Sequence, residues 1–194
     1  MRDQTLPLSH FEQIYTRGTD PWHYATSAYE AAKYAASIEA LPRERYENAF
    51  EVGCSVGVLT ALLAERCDRL LAVEPVETAL AAARGRNAGK GWLRFEPMFV
   101  PAAWPDESFD LIVLSEVLDY LGKADLVRLG NRLRSTLCAG GDVLLVHWIG
   151  KKGGREAQPT ESTEILMDAA QDFLRPVRQA RNAVYRLDCL RRFN

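Results

Sequence analysis

Residues 50–57 read Phe-Glu-Val-Gly-Cys-Ser-Val-Gly, and they stand where a short apolar run gives way to an amphipathic helical pattern that begins at Val58. This order predicts a strand, a glycine turn and the start of a helix. Gly53 and Gly57 lack Cβ, so the backbone can turn sharply and approach a ligand, towards which the free N–H groups of the new helix point. In a doubly wound sheet such a turn is a ligand-binding position.

The sequence around this turn alternates between apolar runs and helical patterns, which predicts a mostly parallel sheet with helices on both faces. Ser27 and Glu30 form a capping box that opens an earlier helix, ending near Leu41. Strands are predicted at residues 49–52, 70–73, 93–98, 109–115 and 142–148, and helices from 58 and at about 78–86, 124–137 and 162–174. We expect Leu62 in the helix from 58 to face inward, and Gly140-Gly141 to stop the helix at 124–137. The tail, residues 176–193, is predicted to form two antiparallel strands that turn near Asn182.

Composition and charge limit the classes of protein to consider. A chain of 194 residues with 47% hydrophobic and 26% charged residues is typical of one globular domain with a substantial core. A net charge of −2 gives no basic field for nucleic acid. Four widely spaced cysteines indicate neither a disulfide framework nor a metal site. No signal peptide and no membrane span are apparent, so we expect a cytoplasmic protein without nucleic-acid or membrane partners.

Several polar groups follow the predicted strands at their carboxyl ends. Parallel strands bring these ends to one edge, where ligands bind. Glu74 ends the second strand, twenty-one residues after Gly53, and a carboxylate there suits a ribose diol. The predicted edge collects residues 53–57, Glu74, 98–101, 115–120 and 147–148. We interpret this set as a nucleoside pocket.

The choice of nucleoside depends on two departures from a dinucleotide site. The glycines are spaced G-x-x-x-G, so the G-x-G-x-x-G fingerprint is incomplete, and no G-K-[ST] of a P-loop is present. Glu51 places a carboxylate two residues before Gly53, which is unfavourable beside pyrophosphate and favourable beside a cation. S-adenosylmethionine, with its adenosine, ribose diol, sulfonium and amino group, fits these constraints better. A nucleoside-binding regulatory or scaffold protein without turnover stays open.

The stretch from Glu51 to Gly57 resembles motif I of the class I S-adenosylmethionine-dependent methyltransferases. More narrowly, the chain from about residue 11 to 148 is similar to the NodS-like methyltransferases. That similarity rests on Asp20-Pro21-Trp22, residues 27–34, Glu-x-Gly-Cys-Ser-x-Gly, Val100-Pro101-Ala102-x-Trp104-Pro105, residues 109–117 and Val146-His147-Trp148. The resemblance implies a Rossmann-like α/β fold with a seven-stranded, mostly parallel sheet, an antiparallel C-terminal strand and an N-terminal helical cover. It further implies one domain, residues 1–194, with the cover at 1–45 and the core at 46–194.

The resemblance also implies a set of cofactor-binding residues around the glycine turn and the strand ends: Trp22, Tyr29, Glu51, Gly53, Cys54, Ser55, Gly57, Glu74, Pro75, Met98, Phe99 and Ser115. Trp22 and Tyr29 belong to the segment that precedes the first strand and can fold over the ligand edge; alternatively, they pack the second helix onto the domain. Many class I enzymes end the third strand with an acidic residue that meets the adenine amino group. Here Met98-Phe99 replaces it, so stacking or backbone groups would hold adenine.

Two residues are candidates for handling the proton of the acceptor. The family resemblance implies N-methylation of an amino sugar or oligosaccharide like a nodulation factor; an oxygen nucleophile or another small metabolite is the alternative. An amine must be unprotonated when it attacks, so a nearby carboxylate or imidazole can take its proton. Glu116 and His147, at the ends of the fourth and fifth strands, are these candidates. Alternatively, Glu116 is a helix charge partner and His147 a buried histidine without a chemical role. The polar loop at residues 151–155 is a further candidate for contacting a polar or anionic acceptor; alternatively, it is a solvated loop.

Overall fold

The protein, described from a computed structural model that covers residues 2–152, 155–156 and 160–193, is built around a seven-stranded sheet. The strands are β1 (Ala49–Val52), β2 (Leu70–Val73), β3 (Leu93–Glu96), β4 (Phe109–Ser115), β5 (Leu137–Trp148), the short pair β6 (Lys151–Lys152) and β7 (Arg155–Glu156), β8 (Leu174–Arg181) and β9 (Tyr185–Arg192). The α-helices are α1 (Leu8–Tyr15), α2 (Ala28–Glu39), α3 (Val58–Leu63), α4 (Glu77–Arg86), α5 (Lys123–Thr136) and α6 (Thr160–Ala170).

The order of the strands in the main sheet is β3-β2-β1-β4-β5-β9-β8. β1 to β5 are parallel where they pair, β9 is antiparallel to β5, and β8 is antiparallel to β9. The predicted seven-stranded, mostly parallel sheet with an antiparallel C-terminal strand is therefore confirmed. The side chain of Asn182 accepts N–H bonds from Val184 and Tyr185, which explains why the tail turns there.

The sheet carries a hydrophobic core on each face. Side chains of a strand alternate between faces, and β4 shows this clearly. Leu111 and Val113 pack towards α2 and α3, whereas Ile112 and Leu114 pack towards α5 and α6. All four side chains are buried, which accounts for the continuous apolar sequence of this strand.

The prediction that Gly140-Gly141 ends α5 was wrong. The helix ends at Thr136, and Leu137 already has extended backbone angles and begins β5. The pairing of β4 with β5 steps from Phe109–Leu137 to Leu111–Asp142, so β5 carries extra residues opposite Asp110. Gly140, with φ +71°, makes this bulge possible.

Two other boundaries differ from the prediction. Leu174, the expected last residue of a helix, begins β8, because α6 ends at Ala170 and Phe173 packs into the core between them. Leu62 was expected to face inward, and it is 40% exposed. The loop expected at residues 151–155 contains β6 and β7, but the predicted acceptor contacts of its side chains lie outside the described residues.

The N-terminal segment runs across the edge formed by the carboxyl ends of the strands. Leu6 donates its N–H to the carbonyl of Tyr120 at 2.9 Å, and Gly122 donates to the hydroxyl of Thr5 at 3.0 Å. A Cβ on Gly122 would lie 2.9 Å from the backbone of Asp3. The approach of these two segments therefore requires a residue without a side chain. It places α1 and the residues after it over the same sheet edge as the glycine turn.

The described ranges contain neither a membrane-spanning helix nor a cluster of metal-binding side chains. Among residues 2–152, 155–156 and 160–193, no helix is long and apolar enough to cross a bilayer. The same ranges contain no group of three or more His, Cys, Asp or Glu side chains that could hold a metal ion.

Candidate functional site

A cavity opens at the carboxyl ends of β1, β2 and β4, beneath the N-terminal segment. Its empty volume is about 1040 Å³, including the space at its mouth, which is the size range of small-molecule sites. Eleven predicted site residues line it: Trp22, Glu51, Gly53, Cys54, Ser55, Glu74, Pro75, Met98, Phe99, Ser115 and Glu116. Three others, Tyr29, Gly57 and His147, do not.

The two glycines of the turn have different structural roles. Gly53 has φ +73° and lines the cavity, and a Cβ there would lie 2.6 Å from Cγ1 of Val117. Gly57 has φ +74° at the N-cap of α3, where a Cβ would lie 2.9 Å from the Cα of Ala83 in α4. Gly53 therefore allows backbone to approach the cavity, and Gly57 allows two helices to approach each other. The structure does not bring Gly57 to the site.

Glu74 joins the end of β2 to the glycine turn. Its Oε2 accepts the N–H of Ser55 at 3.1 Å, and its Oε1 accepts the N–H of Val76 at 3.1 Å. Burial raises the pKa of Glu74 to about 7, although these two hydrogen bonds lower it. The carboxylate is thus fixed in direction at the cavity wall and keeps lone pairs for further donors.

Glu51 is the least satisfied polar group of the site. It is 2% exposed and lines the cavity, and its Oε2 has no hydrogen-bond partner among the residues described. Burial raises the pKa of Glu51 to about 7. A hydrogen bond with the side chain of Thr60 opposes this rise. A buried carboxylate oxygen without a donor is unfavourable, so a cationic donor in the cavity would be bound favourably at Oε2.

Aromatic side chains from the N-terminal segment cover the cavity. Trp22 stacks on Tyr24 with ring centroids 5.6 Å apart and meets Tyr15 edge to face at 5.4 Å. Trp22 was predicted, but Tyr15, Tyr24 and Tyr34 also line the cavity and were missed. Helical spacing of apolar residues in the first helix was the available signal for Tyr15. Tyr29 lies elsewhere, with its ring against Tyr185, so its predicted cofactor contact has no support.

The ends of β2 and β3 provide apolar walls. Met98, Phe99 and Pro75 line the cavity, and Met98 also packs against the main core. Their side chains can offer stacking and van der Waals contact only. That a bound base would be held here by stacking or by backbone groups stays a prediction.

Glu116 lies at the end of β4 with both carboxylate oxygens engaged. Oε1 accepts a hydrogen bond from Nζ of Lys33 at 2.6 Å, and Oε2 accepts the N–H of Trp148 at 3.0 Å. The backbone of Glu116 has φ +58°, which is uncommon outside glycine. Lys33 itself is 1% exposed and also pairs with Glu30 at 2.9 Å. Sequence reasoning missed Lys33, because its partner is 83 positions away.

His147 is buried away from the cavity. It is 3% exposed, and neither ring nitrogen has a hydrogen-bond partner in the described part of the chain. Nε2 lies 3.6 Å from Oδ1 of Asp119. Burial lowers the pKa of His147, although the nearby carboxylates of Asp119 and Glu116 have the opposite effect on it. The prediction that His147 faces the ligand is therefore not supported, and the alternative of a buried histidine describes it better.

The same fold occurs in solved methyltransferase structures. A candidate methyltransferase from Pseudomonas syringae is 35% identical, with a TM-score of 0.74 over 86% of this chain and 100% of that chain. The N-methyltransferase NodS from Bradyrhizobium japonicum WM9, crystallised with S-adenosyl-L-homocysteine, is 21% identical, with a TM-score of 0.76 over 95% of this chain and 97% of that chain. The predicted Rossmann-like methyltransferase fold is thus confirmed.

Sequence relatives agree with this fold. Nodulation protein S from Bradyrhizobium diazoefficiens is 34% identical over 117 residues, which are 60% of this chain and 55% of that protein. The protein of the same name from Rhizobium tropici is 34% identical over 128 residues, 64% of this chain and 53% of its own. This chain thus spans about half the length of these relatives. The family model for nodulation protein S (NodS) matches residues 13–146, more than half of the chain, and the chain therefore belongs to the NodS family.

Proposed function

We propose that this chain binds S-adenosylmethionine in the cavity and transfers its methyl group to an amine of a small molecule or amino sugar. One observation carries the proposal: two buried carboxylates of unlike surroundings, Glu51 and Glu74, line the same cavity as the glycine turn. Family membership supports it, as does the family relative that was crystallised with S-adenosyl-L-homocysteine.

The residues present fit this cofactor. The unpartnered oxygen of Glu51 would take the cationic amino group, and the fixed carboxylate of Glu74 would take the ribose hydroxyls. Gly53 leaves the space that a Cβ would fill. Met98 and Phe99 would provide apolar contact to adenine. When bound, S-adenosylmethionine would supply a methyl group on a positively charged sulfur. The acceptor's nitrogen would bond to the methyl carbon as the carbon–sulfur bond breaks.

The chain's own contribution is positioning and exclusion of water. The aromatic cover of Tyr15, Trp22 and Tyr24 closes over the cavity, and a closed site holds the two reactants in line. Glu116 is at the cavity surface, where its carboxylate can accept a hydrogen bond from an amine and take its proton. His147 is not assigned a role in this step.

Calorimetry with S-adenosylmethionine, S-adenosylhomocysteine, NAD and ATP tests the cofactor. We expect the first two to bind, with Kd in the micromolar range, about 1–100 µM, and the last two to bind far more weakly. Binding of NAD or ATP without binding of S-adenosylmethionine or S-adenosylhomocysteine would refute the proposal. The matched variant Glu51→Gln should weaken binding of both expected ligands, since both carry the amino group.

The acceptor is tested by mass spectrometry after incubation with S-adenosylmethionine. Glucosamine and its deacetylated oligomers are the first probes, because a solved relative is named an N-methyltransferase and the sequence resemblance implies an amino-sugar acceptor. We expect a gain of one methyl group on nitrogen. Their N-acetylated counterparts are the matched controls, and methylation of both series on oxygen would exclude an amine acceptor.

A further inference from the structure

Lys33 is a charged side chain in an unusual place. It lies in the middle of α2 and is 1% exposed, although lysine is almost never fully buried unless it is paired. Lys33 belongs to residues 27–34, which carry part of the family resemblance, but no role was predicted for Lys33 itself. The buried lysine therefore needs an explanation beyond the packing of α2.

The environment of Lys33 consists of two carboxylates and two aromatic rings. Its Nζ lies 2.6 Å from Oε1 of Glu116 and 2.9 Å from Oε2 of Glu30. The same nitrogen lies 5.3 Å from the ring centre of Tyr29 and 5.9 Å from that of Tyr34. Two carboxylates against one ammonium leave the cluster with one excess negative charge. Since Tyr34 and Glu116 line the cavity and Lys33 does not, Lys33 lies directly behind the cavity wall.

Glu116 depends on this support. Its backbone angle of φ +58° is one that residues with a side chain rarely adopt, and such angles persist only where the surroundings fix them. Here Lys33 holds one carboxylate oxygen, and the N–H of Trp148 holds the other. The contact from α2 and the contact from β5 together fix the direction of a carboxylate at the cavity surface.

We propose that Lys33 is a positioning residue for the methyl acceptor, which it serves by holding the Glu116 carboxylate towards the cavity. The inference rests on the proposed function and adds the acceptor's chemistry to it. The cluster of Glu30, Lys33 and Glu116 presents excess negative charge, so it favours an acceptor that arrives as a cation or as a strong N–H donor, such as a primary amine. Lys33 does not touch the acceptor. It fixes the group that does.

The test compares variants of Lys33 by cofactor binding and by acceptor kinetics. Lys33→Met removes the charge at similar length, and Lys33→Arg retains it. We expect Lys33→Met to bind S-adenosylhomocysteine with nearly the wild-type Kd and to lose about 10- to 100-fold in kcat/KM for glucosamine. Lys33→Arg should recover most of that loss, and the loss should lie mainly in kcat if the acceptor is bound but misdirected.

A double variant and a control variant separate positioning from stability. Glu116→Gln with Lys33→Met should lose no more activity than Glu116→Gln alone, because Lys33 acts through Glu116. Arg191→Met removes an ion pair to the fully buried Asp142, at 2.8 Å, from the other end of β5. It should destabilise the fold without changing the acceptor kcat/KM. An unchanged kcat/KM in this control shows that lost stability alone does not produce the loss expected for Lys33→Met.

Each outcome decides one of the two proposals. Wild-type kcat/KM in Lys33→Met, additive losses in the double variant, or lost S-adenosylhomocysteine binding in Lys33→Met overturn the role of Lys33 and leave the proposed function standing. A wild-type protein that binds neither S-adenosylmethionine nor S-adenosylhomocysteine overturns the proposed function. If the wild type binds both but methylates neither glucosamine nor its deacetylated oligomers, the amino-sugar acceptor is excluded, and the inference falls with it.

Discussion

The hydroxyl of Tyr15, in the helix that covers the cavity, lies 2.6 Å from the hydroxyl of Ser55, in the glycine turn. This buried hydrogen bond joins the N-terminal segment to the cofactor side of the site. The N–H of Ser55 is in turn bonded to Glu74, so one residue links the cover to the proposed ribose group. The cover is therefore tied to the part of the cavity where we propose that the cofactor binds.

Tyr15→Phe tests this link by removing the hydroxyl alone. We expect a loss of about 1 kcal/mol in the free energy of unfolding, because one buried hydrogen bond is lost and Ser55 keeps an unpaired hydroxyl. Binding of S-adenosylhomocysteine should weaken a few-fold in calorimetry. The matched control is Tyr46→Phe, which removes a buried hydrogen bond to Asp142 at 2.9 Å, far from the cavity. Equal weakening of ligand binding in both variants would contradict the link.

Glu74→Gln tests the proposed ribose contact. The variant keeps an acceptor oxygen for only one of the two backbone N–H groups, those of Ser55 and Val76, and it loses the charge that strengthens hydrogen bonds to hydroxyls. We expect S-adenosylmethionine to bind about 10- to 100-fold more weakly, the range that corresponds to a hydrogen bond to a charged group. The KM for the acceptor should change less.

The control for Glu74 is Glu77→Gln, which removes an exposed carboxylate from the next helix. It should leave binding unchanged. A Glu74 variant that raises the acceptor's KM more than it weakens S-adenosylmethionine binding would place Glu74 at the acceptor.

Glu51 should make stability depend on pH in the absence of ligand. Its pKa rises from 4.5 to about 7 on folding because burial penalises the charged form. Between these values the folded protein keeps a proton that the unfolded chain has released. The contribution to stability is therefore fully present below about pH 4.5 and is lost as the pH rises through about 7.

Urea unfolding of Glu51→Gln at pH 5 and pH 8 measures this effect. The full pKa shift corresponds to about 3 kcal/mol at most, so we expect Glu51→Gln to gain up to about that amount over wild type at pH 8 and much less at pH 5. The same variant should bind S-adenosylmethionine more weakly at pH 8. Parallel pH profiles for the two proteins would show that Glu51 is not the titrating group.

Alanine at the two glycines should produce two different phenotypes. Both positions have φ above +70°, so each substitution is expected to cost about 1–3 kcal/mol of stability from backbone strain. Gly53→Ala should also abolish binding of S-adenosylhomocysteine, because its Cβ would lie against Val117 at the cavity. Gly57→Ala should retain binding in the fraction that folds, because its Cβ would instead meet α4.

Combining Gly53→Ala with Val117→Ala removes the close contact, which involves Cγ1 of Val117. The double variant should recover part of the binding but not the stability lost to backbone strain. Calorimetry and thermal unfolding of the three variants check both parts. A complete recovery of stability would show that steric contact rather than backbone strain dominates at Gly53.

The strands near the centre of the sheet were predictable from sequence because both of their faces are buried. A run such as residues 109–115 is apolar at almost every position, and its ends coincide with the ends of β4. The glycine pair Gly140-Gly141 was misleading, since the same two residues can end a helix or form a bulge. Which of these occurs depends on the pairing of β4 with β5, and sequence proximity carries no information about that pairing.

The site was predictable where one short stretch builds it and unpredictable where distant elements meet. That Glu51, Gly53 and Glu74 line the site was predictable from their positions at the ends of predicted strands. Lys33 does not, because its role depends on the contact of α2 with the end of β4. His147 was correctly placed on β5, but a strand end alone does not decide whether a side chain faces the ligand or the opposite side.

The position of β9 bears on the order in which the molecule assembles. β9 comes later in the chain than β8, yet it lies between β5 and β8 in the sheet. A nascent chain that has emerged only as far as β8 therefore has no neighbour for that strand and exposes the free edge of β5. During synthesis, β5 and β8 therefore stay unpaired on this side of the sheet until β9 has been made. Until then, the free edge of β5 is a surface that a chaperone or another nascent chain can bind.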